Sequence, residues 1–152
     1  MILKVEDVMV EDVITVDSDA PVMEAVGLMN KHEIGCLVVT RKGKAIGIVT
    51  ERDLLKRVLA KSRDPKKIKV RQIMSKPLIA GEPDMDFEDA ARFMFRRKIK
   101  KLPVMEGRSL LGLVTLTDLA RFQPQMIKIL KKISARELPP RRMIKVLDYH
   151  VV

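Results

Sequence analysis

A shift of 65 residues lays the first half of this 152-residue chain over the second without a gap. Met9 falls on Met74, Ile14 on Ile79, Asp19 on Asp84, Ala25 on Ala90 and Met29 on Met94. The match runs on through Ile34 and Ile99, Leu37 and Leu102, Val39 and Val104, Gly47 and Gly112, Thr50 and Thr115, Asp53 and Asp118, and Leu54 and Leu119. Such a tandem repeat constrains the fold more than any local propensity. A unit of about 55 residues has one sheet face to cover and little core of its own. The two copies are therefore expected to pack sheet against sheet around a pseudo-twofold axis, leaving two equivalent clefts between them.

Both units read in the same order. Val8-Met9, or Ile73-Met74, leads to a brief strand expected at 13–16, or at 78–80. An acidic turn follows, Asp17-Ser18-Asp19 or Glu82-Pro83-Asp84. Helical spacing comes next, with Val22, Val26 and Met29 in one unit and Phe87, Ala91 and Met94 in the other. Pro21 suits a first helical position. Two strands joined by a tight polar turn are expected at 36–40 and 45–49, and again at 102–105 and 110–114. A closing helix makes the unit β-α-β-β-α.

The corner between the last strand and that helix is the most specific feature. It reads Gly47-Ile48-Val49-Thr50-Glu51-Arg52-Asp53 and again Gly112-Leu113-Val114-Thr115-Leu116-Thr117-Asp118. The Asp is expected to open a helix running from Leu54 or Leu119 onward. One reading makes the Thr and Asp a capping device, a hydroxyl on a free helix amide and an acid in the first turn. The other notes that spare amides suit phosphate oxygens and that a carboxylate suits the two hydroxyls of a ribose.

Composition narrows the class of function. Hydrophobic residues make up 47% and charged residues 33%, which describes a folded domain rather than a disordered chain. Aromatics are only 3%, so Val, Ile, Leu and ten Met must fill the core. With a single cysteine, Cys36, no intrachain disulfide can form and a reducing compartment is the simpler assumption. No apolar run is long enough to span a bilayer, and the N-terminus does not read as a signal peptide, so a cytoplasmic protein is expected. A net charge of +10 points to an anionic partner.

The duplicated unit and its closing G-h-V-T-x-x-D resemble the cystathionine-β-synthase (CBS) domain family, in its stand-alone tandem form, the Bateman module. The pieces that carry the resemblance are Val8-Met9 and Ile73-Met74, Asp19-Ala20-Pro21-Val22-Met23-Glu24-Ala25, Lys101-Leu102-Pro103-Val104, and both Gly-to-Asp corners. The resemblance implies an α/β (α+β) fold of two packed CBS repeats. Repeat 1 is set at residues 1–60, a basic linker at 61–71, repeat 2 at 72–122 and a basic C-terminal extension at 123–152. It also implies a regulatory module that binds AMP, ADP, ATP or S-adenosylmethionine between the repeats, requires no cofactor and pairs as a homodimer.

Carried over residue by residue, the resemblance implies that Asp53 and Asp118 hold ribose hydroxyls and that Thr50 and Thr115 contact ribose or phosphate. Ile14-Thr15 and Ile79-Ala80, with the backbones of Gly35-Cys36-Leu37 and Lys101-Leu102-Pro103, would line the adenine slot. Lys100, Lys101 and Arg52 are the phosphate candidates. Because Gly35 and Cys36 stand where the second unit has Lys100 and Lys101, the two clefts are expected to differ in affinity.

Catalysis is not indicated. His32 and His150 lie far apart and Cys36 is alone, so no zinc cluster or Cys/His dyad forms on spacing. No phosphate-binding Gly-rich loop or nucleophile elbow is present. The rival function is a nucleic-acid or protein adaptor working through the linker, read as surface, and the basic tail, where Met126 to Ile133 has helical amphipathy. That tail carries little aromatic interleaving for stacking on bases.

Overall fold

The computed structural model describes residues 3–122; the amphipathic stretch from Met126 and the rest of the basic extension lie outside the described residues. The first repeat contains β1 (Thr15–Asp17), α2 (Val22–His32), β2 (Cys36–Arg41), β3 (Lys44–Thr50) and α3 (Glu51–Leu54), preceded by a short α1 (Val5–Val8). The helix begun by α3 continues as a π-helical turn over Leu55–Leu59. The second repeat contains α4 (Phe87–Arg97), β4 (Lys101–Glu106), β5 (Ser109–Thr115) and α5 (Leu116–Phe122). β1 pairs parallel with β2, and β2 antiparallel with β3; β4 and β5 form the matching antiparallel pair. The fold is two tandem repeats of mixed α/β type, β-α-β-β-α in the first and α-β-β-α in the second, with β3 and β5 in contact across the pseudo-twofold axis.

The first strand of repeat 2, expected at 78–80, is absent. Only an isolated parallel bridge, Gly81 with Val104, stands where Val16 pairs with Val39. Gly81 N–H donates to the Pro103 carbonyl (2.8 Å) and its carbonyl accepts from Met105 N–H (2.9 Å). In repeat 1 the ladder is carried one step further by Ser18 N–H on the Thr40 carbonyl (2.8 Å). The matching residue is Pro83, which has no N–H to give, so the strand stops at one bridge. In repeat 1 the strand covers 15–17 rather than 13–16.

The helices of the two corners also start earlier than the sequence implies. Thr50 is the N-cap and Glu51 the first helical residue, and α5 likewise begins at Leu116. The Asp is therefore the third helical residue and not the one before the helix. α2 and α4 bury Val22, Ala25 and Met29, and Phe87, Ala90, Ala91 and Met94, at the spacing of one helical face. Each ends on a non-glycine residue in the left-handed region, Glu33 at φ 52° and Lys98 at φ 55°.

The leading segment of each repeat seats on the other. Val10 exchanges backbone hydrogen bonds with Leu113 (2.9 Å each way), and Ser75 does the same with Ile48 (2.8 and 3.1 Å). Val5 N–H donates to the Met85 carbonyl as Val70 N–H does to that of Ala20, both at 2.9 Å. The cores follow suit: Val5 and Val8 pack with Phe87, Met94, Leu102 and Val114, while Val70, Ile73 and Met74 pack with Val22, Leu37 and Val49. Not all of the basic 61–71 stretch is surface. Val70 is fully buried and Ile68 packs against the first core, because the chain must already be seating there.

Candidate functional site

Both corners close on the same hydrogen-bonded box. Asp53 Oδ2 accepts from Thr50 N–H (3.0 Å) and from the Thr50 hydroxyl (3.2 Å), while Asp53 N–H donates to Thr50 Oγ1 (3.3 Å). In the second corner the distances are 2.8, 3.0 and 3.3 Å for Thr115 and Asp118. This is a capping box with an acid at the third helical position. It leaves one carboxylate oxygen, Oδ1, uncommitted by the box itself, so capping and ligand binding are compatible.

The two Oδ1 atoms then differ. Asp53 Oδ1 accepts from the Ser75 hydroxyl (3.1 Å) and has Arg57 Nη1 at 3.9 Å. Arg57 Nη1 is itself held by the carbonyls of Ile73 (2.9 Å) and Met74 (3.0 Å). Among the described residues, Asp118 Oδ1 has no hydrogen-bond partner.

A cleft of about 210 Å³ opens beside Thr115. Ile14, Ile34, Cys36 and Val38 come from repeat 1; Lys101, Leu113 and Thr115 come from repeat 2, and the crossing segment supplies Val10. Ile14, Cys36, Lys101 and Thr115, four of the residues chosen from the sequence, are thus brought to one cavity by elements of both repeats. Its walls are apolar, with Lys101 and Asp12 as the charged groups. Lys101 is paired across the β4–β5 ladder with Thr115, so the two stand side by side on the cleft wall. Burial pushes the Cys36 thiol up from its ordinary value, and the positive charge of Lys101 works against that rise without reversing it.

The remaining sequence candidates are distributed more widely. Leu37 and Leu102 are fully buried in the two cores, so only their backbones could face a ligand. Pro103 is also buried. The Gly35 and Lys100 carbonyls accept the first helical amides, from Glu51 (3.0 Å) and Leu116 (3.1 Å), and brace the corners from behind. Arg52, Thr15, Ile79, Ala80 and the Lys100 side chain are exposed and do not line the cleft beside Thr115. Sequence reasoning missed Val10, Asp12, Val13, Ile34, Val38 and Leu113 on the cleft wall, and Ser75 and Arg57 at the first corner. The register that pairs Met9 with Met74 also pairs Val10 with Ser75, so the difference between the corners was in view; its meaning needed the crossing of the leading segments.

Comparison with known proteins agrees with this architecture. A family model described as CBS domain matches residues 5–60 and 70–124. The CBS domain-containing protein YhcV of Bacillus subtilis is 37% identical over 116 residues, covering 76% of this chain and 82% of that protein. Among solved structures, the conserved CBS domain protein TA0289 of Thermoplasma acidophilum, of unknown function, superposes with a TM-score of 0.78 at 29% identity, covering 90% of this chain and 78% of that one. The CBS domain pair of MJ0100, in complex with 5′-methylthioadenosine and S-adenosyl-L-methionine, gives a TM-score of 0.74 at 30% identity, covering 83% and 99%. With two matched repeats, crossed leading segments and two Thr/Asp corners, the chain belongs to the CBS domain family as a tandem pair.

Proposed function

We propose that this CBS pair is a regulatory module, without chemistry of its own, that binds an adenosine-containing ligand in the cleft beside Thr115 and Asp118 and signals to a partner by a change in the packing of its repeats. The observation that carries the reading is the cleft, whose apolar walls come from both repeats and which reaches Thr115, the residue that Asp118 caps through its other carboxylate oxygen. Ile14, Ile34 and Val38 offer the base an apolar slot. Asp118 Oδ1 suits a ribose hydroxyl, and Lys101 supplies a cation for phosphate. The adenosine ligands held by the MJ0100 pair support the same ligand class here. A ligand that touches both repeats stabilises one arrangement of them over another, which is the differential affinity a switch requires.

Lys101 favours AMP, ADP or ATP over the cationic S-adenosylmethionine. Homodimerisation in the cytoplasm completes the proposal, with the exposed Leu55 and Leu59 offering apolar surface to a second copy. No helix among the described residues is long and apolar enough to cross a membrane. A second reading, an adaptor for nucleic acid or an acidic protein, has one observation in its favour: Lys61, Lys66 and Lys67 are exposed and make no ion pair among the described residues, whereas Lys69 and Arg71 are drawn to Asp19 (4.0 and 3.1 Å).

Calorimetric titration with AMP, ADP, ATP and S-adenosylmethionine, on the wild type and on Asp118→Ala, tests the first reading. Binding that Asp118→Ala removes while the fold persists supports it. No binding at millimolar ligand, together with salt-sensitive binding of RNA or DNA, supports the second.

A further inference from the structure

We infer that the first corner is a structural lock and not a second ligand clamp, so that the chain takes one nucleotide, and that Ser75 and Arg57 set this stoichiometry. The inference rests on the reading of the Thr115 cleft as a nucleotide site. A ribose diol is best gripped through the carboxylate oxygen that the capping box leaves open, and an oxygen that already accepts from the protein and lies beside a fixed guanidinium has less room and less acceptor capacity left for it. In the second corner that oxygen, on Asp118, is unengaged among the described residues. In the first, Asp53 Oδ1 already accepts from the Ser75 hydroxyl at 3.1 Å, and Arg57 stands 3.9 Å away.

Both donors stand on held chain. Ser75 is fixed by two backbone hydrogen bonds to Ile48, and Arg57 by two carbonyls of the crossing segment, Ile73 and Met74. A ribose entering this corner would have to share Asp53 Oδ1 with the Ser75 hydroxyl and fit beside the Arg57 guanidinium, which Asp118 does not ask of it. The mirror positions carry no such donors. Shifting by 65 puts Val10 in place of Ser75 and Phe122 in place of Arg57. The phosphate end differs in the same sense, with Cys36 standing where the other cleft has Lys101. Two substitutions at equivalent points of a duplicated fold have thus tied Asp53 to the segment that crosses between repeats, while leaving Asp118 open.

AMP titration by calorimetry on the full chain is the test. The expected result is one site per chain, weakened at least tenfold by Asp118→Asn and retained in Ser75→Ala. In an Asp118→Asn background, Ser75→Val with Arg57→Phe should create binding at the first corner that Asp53→Asn then abolishes. Two sites in the wild type, or a site in Asp118→Asn that Asp53→Asn alone removes, would overturn the inference. Thermal unfolding without ligand decides the lock independently. Ser75→Ala and Asp53→Asn should each lower Tm, and together lower it no further than the more harmful of the two. Additive losses overturn the lock whether or not AMP binds, whereas a failure of AMP to bind with non-additive losses counts against the nucleotide site alone.

Discussion

Gly112 lies directly beneath Met9: a β-carbon on Gly112 would stand 2.6 Å from Met9 Sδ and 2.8 Å from the Val10 carbonyl oxygen. The mirror pair is Gly47 beneath Met74, where the same β-carbon would meet Met74 Sδ and the Ser75 carbonyl, both at 2.9 Å. These glycines are in the repeat because the leading segment of one unit passes flat over the strand of the other. The Gly of the G-h-V-T-x-x-D corner therefore serves the joining of the repeats, and its Thr and Asp serve the helix start.

Gly112→Ala should accordingly destabilise the fold. The thioether of Met9 can swing away, but the Val10 carbonyl is held by its bond from Leu113 N–H and must move with the backbone. Overpacking of this kind costs about 1–3 kcal/mol. Chemical denaturation should show that loss, and Met9→Ala in the same chain should fail to restore it. Full rescue by Met9→Ala would mean that the side chain alone, and not the crossing backbone, requires the glycine.

The helix ends offer the opposite sign. Lys98 closes α4 in the left-handed conformation at φ 55°, where an L side chain is strained and glycine is not. Lys98→Gly should stabilise the chain by up to about 1 kcal/mol, as should Glu33→Gly at the end of α2. A raised unfolding midpoint at unchanged denaturant slope is the expected result. No gain, or a loss, would mean that each side chain makes contacts worth more than the strain.

The duplication, both helices, all four hairpin strands and the two corners were legible because each rests on a local pattern. Apolar spacing marks Phe87, Ala91 and Met94; alternation marks the strands; Thr and Asp three apart mark a cap. What was hidden depends on contacts between distant residues. The hydrophobic character of Val70 is plain, yet only the crossing tells that it is buried in repeat 1 while Val5 serves repeat 2. Pro83 could be read as a turn residue, but its effect on strand length appears only when its missing N–H is set against the bond made by Ser18. Thr115, Ile14, Cys36 and Lys101 were named from the family's motif, and the cavity joins them. Asp12 and Val10 carry no motif and were found by position alone.

Cys36 makes stability depend on alkaline pH. Its thiol is held protonated by burial, so its pKa in the folded chain lies above that in the unfolded chain. Below the ordinary thiol value of about 8.5 both states carry the proton and the group contributes no pH dependence. As pH rises past that value, the unfolded thiol ionises first and stability falls. Between pH 7.5 and pH 10 the wild type should therefore lose more stability than Cys36→Ala, measured by urea midpoint at each pH. Equal losses would show that other groups carry the alkaline effect.

On the proposed function, the charge of Lys101 should separate phosphate recognition from recognition of the nucleoside. Lys101 is partly buried and lines the cleft together with Thr115, its partner across the β4–β5 ladder, so a phosphate placed there meets its positive charge. A hydrogen bond to a charged group contributes about 1.5–3 kcal/mol net, so removing it should weaken AMP about tenfold or more. Lys101→Met keeps the length and apolar stem of the side chain, and so should leave adenosine affinity nearly unchanged. The wild-type preference for AMP over adenosine should shrink as ionic strength rises, and the variant should show little of that dependence. Should AMP and adenosine weaken together in Lys101→Met, the side chain shapes the cleft wall and the phosphate is held elsewhere, with Lys100 and Arg52 the next cations to substitute.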